Sequence, residues 1–486
     1  MKNILTISLI VFLLNNIAAQ EPTYIDNTIV IKIKPNTKGK IKKEKTIEQI
    51  ERLINNDIDK ITPLFKNFNT GKKLIPAQFD LSNIYKIKLK NSQNLISHII
   101  ELNRLESIEY AELYPIAYIF DTPNDPKISS QYYLNKIKAF EAHQISKGDT
   151  NIVIGIVDTG VDLLHEDLKD NYKYNYADPI NNIDDDMDGY VDNYYGWDVA
   201  NDDSNPQSHV NIFGETNYHG TKVSGMASAV TNNNIGIASI GYKTKILPIK
   251  VMDSTGRIVA GYEGIIYAAD HGCDIINCSW GSNSPSKFAQ DAINYATQYK
   301  NCLIVAAAGN KSAAIDGRPD TWFYPASYNN VLSVAATGTN DIRWNGSSYA
   351  TTVDVSAPGE NVFFTKQFNS YGTGYGTSYA APLVAGLAGL IKAQRPELTN
   401  KQISEQIRVT SDIIDTLSEN SYYSKQLGYG RINAHRALSI NDMPAVRIDS
   451  FEIIANNIST QIAGDTLQVI FTATNYLAQV TNTVIR

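Results

Sequence analysis

A chain of 486 residues that is 43% hydrophobic is long enough for one large α/β domain with smaller additions. Its formal net charge of −7 has the wrong sign for a nucleic-acid binder, so no nucleic-acid partner is expected. The charge is uneven: residues 21–120 are net basic and the remainder is net acidic, so a basic leader would complement an acidic main domain.

Met1-Lys2-Asn3 precedes the apolar run from Ile4 to Leu14, and Ala18-Ala19-Gln20 offers small residues for cleavage. Residues 1–19 therefore read as a signal peptide, and the protein as secreted. No later stretch is apolar for long enough to span a bilayer, so no transmembrane segment is expected. Within 20–120, residues 28–33 and 84–89 alternate with period two, 95–102 has helical spacing and 108–112 returns to strand, which predicts a small α/β unit. Such a unit is also compatible with an independent binding module. Pro115 to Phe120 then leads into the turn-rich linker Asp121-Thr122-Pro123-Asn124-Asp125-Pro126.

From 150 to 440, buried runs alternate with helices. Strands are expected at 152–157, 245–251, 275–279, 303–307 and 331–335, and helices at 220–230, 259–271, 287–299 and 378–393. Alternation of this kind predicts a mostly parallel sheet covered on both faces, with functional residues at strand ends and helix starts. Residues 442–486 shift to short alternating strands, too few for an independent sandwich, and read as an incomplete or appended β module. Cys273, Cys278 and Cys302 lack metal-ligand spacing and read as buried apolar residues, with a Cys273–Cys278 or Cys273–Cys302 bridge left open.

Three stretches carry chemistry. The run Ile152 to Val157 ends on Asp158-Thr159-Gly160; His219-Gly220-Thr221 opens a small-residue helix; Gly376-Thr377-Ser378 delivers a hydroxyl onto the first turn of an apolar helix, where free backbone N–H groups point outward. Taken singly, each has a plainer reading: a carboxylate capping a turn, a helix-start histidine bonded to backbone, a serine N-cap. Together, in the chain order Asp, His, Ser, they supply an orienting acid, a base and a nucleophile.

With their flanks, these motifs resemble the subtilisin-like serine protease family, the subtilases, from about Asn124 to about Leu438. The resemblance implies a three-layer α/β fold over 121–441, preceded by a propeptide over 20–120 that assists folding and then inhibits its own enzyme. It implies a secreted serine endopeptidase acting on polypeptide substrates, with Asp158, His219 and Ser378 catalytic and Asn310, after Gly309, donating to the oxyanion. Ser279-Trp280-Gly281 aligns with the extended segment that pairs with substrate backbone. Self-cleavage is expected near Phe120, and Tyr118 and Phe120 hint at a preference for large apolar side chains. A non-catalytic binding protein on the same scaffold, or a peptide ligase using the same acyl-enzyme, are the alternatives. Lys222 departs from the family by replacing a non-catalytic histidine, and Tyr379 by replacing the methionine after the nucleophile.

Calcium is the implied ion, because hard cations take oxygen ligands clustered on loops. Asp198, Asn201, Asp203, Asn205 and Gln207 resemble one loop site of thermitase-like members. Asp125, Asp167 and Asn233, with the carbonyls of Val230, Ile235 and Ile237, resemble a second, tighter site. Asp184, Asp186 and Asp188 before Gly189 have the spacing of an EF-hand start, although Tyr195 stands where the closing glutamate belongs; a solvated surface is the alternative for all these acids.

Overall fold

The computed structural model describes residues 24–34, 43–54, 57–66, 81–91, 94–116, 122–209, 218–310, 322–455 and 467–479. The expected signal peptide and the cleavage point near Phe120 lie outside them. The chain divides into two compact units, Met1–Ile119 and Phe120–Arg486.

The first unit is a four-stranded antiparallel sheet of β1 (Tyr24–Ile33), β2 (Ile58–Pro63), β3 (Ile84–Leu89) and β4 (Ile108–Pro115), in the order β2-β3-β1-β4. Helices α1 (Lys43–Ile54) and α2 (Leu95–Asn103) contribute to its core, in which Ile29, Ile31 and Ile33 of β1 pack with Ile50, Ile87 and Leu102. Helix α1 was not expected, yet Ile47, Ile50 and Ile54 recur at helical spacing, and the latter two are buried.

In the second unit, α3 (Tyr132–Lys136) and α4 (Ala139–His143) precede a seven-stranded parallel sheet. Its strands are β5 (Val153–Asp158), β6 (Trp197–Asp198), β7 (Lys245–Lys250), β8 (Ile275–Cys278), β9 (Leu303–Ala307), β10 (Val331–Thr337) and β11 (Val355–Pro358), in the order β11-β10-β9-β8-β5-β7-β6. The period-two rule divides each central strand between two cores: Ile154 and Ile156 of β5 join one, and Val153 and Val157 the other. On the first face lie α5 (His219–Ser228) and α8 (Thr377–Gln394); on the second, α6 (Gly261–Asp270) and α7 (Lys287–Asn294). This is the mostly parallel three-layer α/β arrangement that the alternation predicts.

The helix expected over 287–299 changes character at its end, where 295–299 forms a single π turn. A short hairpin, β12 (Val362–Lys366) with β13 (Ser370–Gly374), leads into α8; α9 (Asn400–Val409) and α10 (Ala434–Ser439) follow. Strands β14 (Val446–Ala455) and β15 (Leu467–Asn475) pair antiparallel at the C-terminal end. The three cysteines are free and buried, so neither bridge left open by the sequence forms. No helix among the described residues is long and apolar enough to cross a membrane.

Candidate active site

Asp158 is the last residue of β5 and only 1% exposed. A carboxylate in so dry a place needs donors and a positive partner. The Thr159 N–H donates to its Oδ1 at 2.7 Å, and His219 Nδ1 lies 2.8 and 3.0 Å from its two oxygens. His219 opens α5, and Gly220 explains how the helix start comes so near: a Cβ there would fall 2.3 Å from the Gly160 carbonyl oxygen. The Gly220 N–H donates to Thr159 Oγ1 at 3.0 Å, which ties the helix start to the strand end.

Ser378 sits in the first turn of α8. Four residues on, Pro382 has no N–H to offer the Ser378 carbonyl, and that carbonyl accepts from Ser279 Oγ at 2.9 Å instead. In return, Ser378 Oγ donates to the Ser279 carbonyl at 3.1 Å, while Asn277 Nδ2 donates to Ser279 Oγ at 2.9 Å. The nucleophile candidate is thus held to the end of β8. The His219 ring centre is 5.9 Å from that of Tyr379, the residue after Ser378.

Asn310 follows β9. Its Oδ1 accepts from both the Thr377 N–H and Thr377 Oγ1, each at 2.8 Å, and the Thr377 hydroxyl in turn accepts from the Gly309 N–H at 3.1 Å. With the carbonyl end committed, the Nδ2 end remains as a donor. Thr377 and Asn277 are supports that sequence reading missed: Thr377 lies 67 residues from Asn310, a separation across which a spacing rule has no reach, and Asn277, only two residues from Ser279, sits inside an apolar strand run where it carries no motif. Trp280 turns its indole N–H to the Val157 carbonyl at 2.8 Å and packs edge-on to Tyr262. Together with Ser279, Gly281, Asn310 and Ser378 it lines one cleft.

Both departures from the family pattern are accommodated. Lys222, half-buried, holds its ammonium 5.6 Å from the centre of the Phe364 ring. Burial pushes its pKa down, Lys366 adds to that, and Asp158 opposes it. Tyr379 packs on Phe364 with ring centres 4.7 Å apart, and burial pushes its hydroxyl up to about 12.

The acid groups fall into three surroundings. Asp125 and Asp167 are 1% and 0% exposed and, among the described residues, receive only neutral donors: Asn232 and Asn233 N–H on Asp125; Asn233 Nδ2 at 3.2 Å, the Ile237 N–H at 2.8 Å and the Tyr371 hydroxyl at 3.5 Å on Asp167. Val230 donates its N–H to the Asp167 carbonyl at 2.9 Å and Ile235 its N–H to Asn233 Oδ1 at 2.8 Å, so the expected ligands share one locality. Burial pushes Asp167 up to about 7 against the pull of Ile237 and Asn233, with Asp125 and Glu166 adding repulsion; burial likewise raises Asp125. Asp184, Asp186 and Asp188 converge, with ligand oxygens within 4.8 Å of one another. Asp198 differs from both groups, because the ammonium of the buried Lys250 forms an ion pair with it, a counter-ion no motif announced. In the same loop Asn201 Nδ2 donates to Asp198 at 2.7 Å, Asn205 N–H to Asp203 at 2.9 Å and Gln207 N–H to Asn205 at 3.3 Å.

Comparison with known proteins bears on the family and the fold. The subtilase family (peptidase S8) matches residues 149–430. Thermitase of Thermoactinomyces vulgaris is 39% identical over 320 residues, covering 65% of this chain and 99% of that protein. The thermophilic serine proteinase of Bacillus sp. (strain AK1) is 31% identical over 430 residues, covering 87% and 90%. Among solved structures, a protease of Pseudoalteromonas arctica aligns with a TM-score of 0.54 at 28% identity, covering 66% of this chain and 99% of that one.

Proposed function

This chain belongs to the subtilase family and is a subtilisin-like serine endopeptidase, and from that premise we propose that Asp158, His219 and Ser378 are the residues that cut. The carrying observation is the pairing of His219 Nδ1 with both oxygens of a carboxylate 1% exposed. That contact favours the proton on Nδ1 and leaves Nε2 to accept. His219 takes the Ser378 proton as Oγ attacks a peptide carbonyl, Asp158 stabilises the imidazolium, and the proton then passes to the leaving amine. Water repeats the cycle on the acyl-enzyme. Asn310 Nδ2 and the N–H at the start of α8 receive the developing negative oxygen, and substrate backbone pairs along Ser279-Trp280-Gly281.

A fluorophosphonate probe tests this. The wild-type protein is expected to be labelled at one site and to hydrolyse casein, and Ser378→Ala to lose both. Labelling retained in Ser378→Ala, or an unlabelled wild type, would sink the assignment and favour a non-catalytic binding role.

The finer reading follows the same resemblance. The protein is exported, the first unit is its propeptide, and cleavage in the stretch between the units releases the mature enzyme, since a processing segment has to be exposed. Extracellular use is supported by a relative, the halolysin-like extracellular serine protease Nep of Natrialba magadii, 31% identical over 335 residues. Calcium is structural. Asp125, Asp167 and Asn233 fit it, because two buried carboxylates receive only neutral donors among the described residues, and calcium there would supply the missing positive charge. Asp184, Asp186 and Asp188 would hold a second ion. An ion at the Asp198–Gln207 loop would stand beside the Lys250 ammonium and be repelled by it, so that loop ranks last.

A further inference from the structure

The cleft beside Ser378 is walled by two segments, 279–283 after β8 and 307–310 at the end of β9. Phe323 lines it as well. One edge of its ring lies against both walls. A Cβ built on Gly281 would fall 2.5 Å from Phe323 Cε1 and 2.9 Å from Cδ1; one built on Gly309 would fall 3.1 Å from Cγ and 3.2 Å from Cδ1. Neither wall can carry a side chain where the ring enters.

The backbone that carries the ring is firmly placed. Ser282 and Tyr324 exchange both backbone hydrogen bonds at 2.8 Å, the Phe323 N–H donates to Ser327 Oγ at 3.2 Å, and the Ser327 N–H returns to the Phe323 carbonyl at 2.8 Å. A narrow slot with bare glycine walls suits a side chain inserted between them, and here the protein's own phenylalanine takes up that space.

Resting on the reading of Ser378 as nucleophile, we propose that Phe323 determines specificity. The residue whose carbonyl is attacked presents its side chain to this slot, Phe323 shortens it, and the enzyme cuts after small residues such as glycine, alanine and serine. Large aromatic side chains meet the Phe323 ring and are rejected. This runs against the hint of a large apolar preference taken from Tyr118 and Phe120.

Two peptide p-nitroanilides that differ only in a final alanine or phenylalanine provide the test, with wild type, Phe323→Leu and Phe323→Ala. Wild type is expected to favour the alanine substrate in kcat/KM by about tenfold or more, and Phe323→Ala to raise the phenylalanine-to-alanine ratio by about tenfold or more, with Phe323→Leu between. A wild type that cuts the phenylalanine substrate as well as the alanine one overturns the proposal without any variant, as does an unchanged ratio in both variants. Fluorophosphonate labelling separates the two levels. A labelled enzyme with an aromatic preference removes only the role of Phe323, whereas an unlabelled protein inert to both substrates removes the nucleophile as well.

Discussion

Asp198, which ends β6, and Asp167, in a turn after β5, are both buried carboxylates of the second unit, 1% and 0% exposed, and the chain meets their charges in opposite ways. At Asp198 a lysine from the neighbouring strand β7 supplies an ammonium, itself 3% exposed. At Asp167 the donors are the Asn233 amide, the Ile237 N–H and the Tyr371 hydroxyl, and a second acid, Asp125, adds to the charge. The first arrangement is complete in itself. The second leaves an excess of negative charge in a dry place, which is either protonated or neutralised from outside. Asp158 stands between them, because its partner His219 gains and loses a proton in the proposed cycle. In the proposed reading, buried acids of one chain thus separate by role: a fixed counter-ion at Asp198, a histidine partner at Asp158 and no counter-ion at Asp167, where calcium is proposed to bind.

The sharpest break of this comparison is Lys250→Met. It leaves Asp198 with N–H donors from Ala200 and Asn201 but no positive charge, and loss of one member of a buried pair costs about 3 to 5 kcal/mol. Thermal melting should fall accordingly. With the repelling ammonium gone, added calcium should restore part of the loss, so that Asp198 behaves as Asp167 does; no restoration would show that the loop from Asp198 to Gln207 does not accept an ion even without Lys250.

A smaller effect separates the sites by pH. The Asp167 carboxyl is raised from 3.8 to about 7 in the folded chain without an ion. A raised folded-state value gives stability that is fully present below the unfolded value and lost as pH climbs through the folded one. In chelator, therefore, the protein should be less stable at about pH 7.5 than at about pH 5.5, by a difference on the order of 2 kcal/mol. Calcium requires the ionised form, so its stabilising effect should grow over the same interval. Differential scanning calorimetry with and without chelator at the two pH values checks this; melting indifferent to chelator at the higher pH would dispose of the ion at Asp125 and Asp167.

What was legible in the sequence follows the reach of each signal. The sheet strands β5, β7, β8, β9 and β10 were readable because a parallel strand buried on both faces needs an unbroken apolar run, and such a run is local. Asp158, His219 and Ser378 could be proposed from the sequence because each sits at a strand end or helix start with its own flanks. Strands β11 to β13 escaped: β13 consists of Ser370-Tyr371-Gly372-Thr373-Gly374, whose composition resembles a loop, and it forms a strand only by pairing with β12. Lys250 as counter-ion, Thr377 behind Asn310 and Phe323 in the cleft escaped for another reason. Each depends on a contact across the fold between residues that no local pattern links.

The mildest test concerns a third way of balancing buried acids. Asp354 and Glu405 are balanced by Arg408, whose guanidinium lies 2.6 Å from Glu405, and by Arg447, which reaches from β14 to Asp354 at 2.7 Å and Glu405 at 3.1 Å. Arg447 therefore completes the charge balance and fastens the C-terminal hairpin to the body of the second unit, helped by Gln402 Nε2 donating to the Tyr476 carbonyl at 3.1 Å. Its side chain is 40% exposed, so solvent screens the pair and Arg447→Ala should cost only about 1 kcal/mol of global stability. The local effect should be larger than the global one, because two acids are left with one arginine at the point where the hairpin docks. Hydrogen exchange should accelerate in β14 and β15 while β5 keeps its protection. Exchange in the hairpin that is unchanged by the substitution would show that its attachment does not depend on this charge balance, and that among these buried acids the counter-ion at Asp354 is dispensable where the one at Asp198 is not.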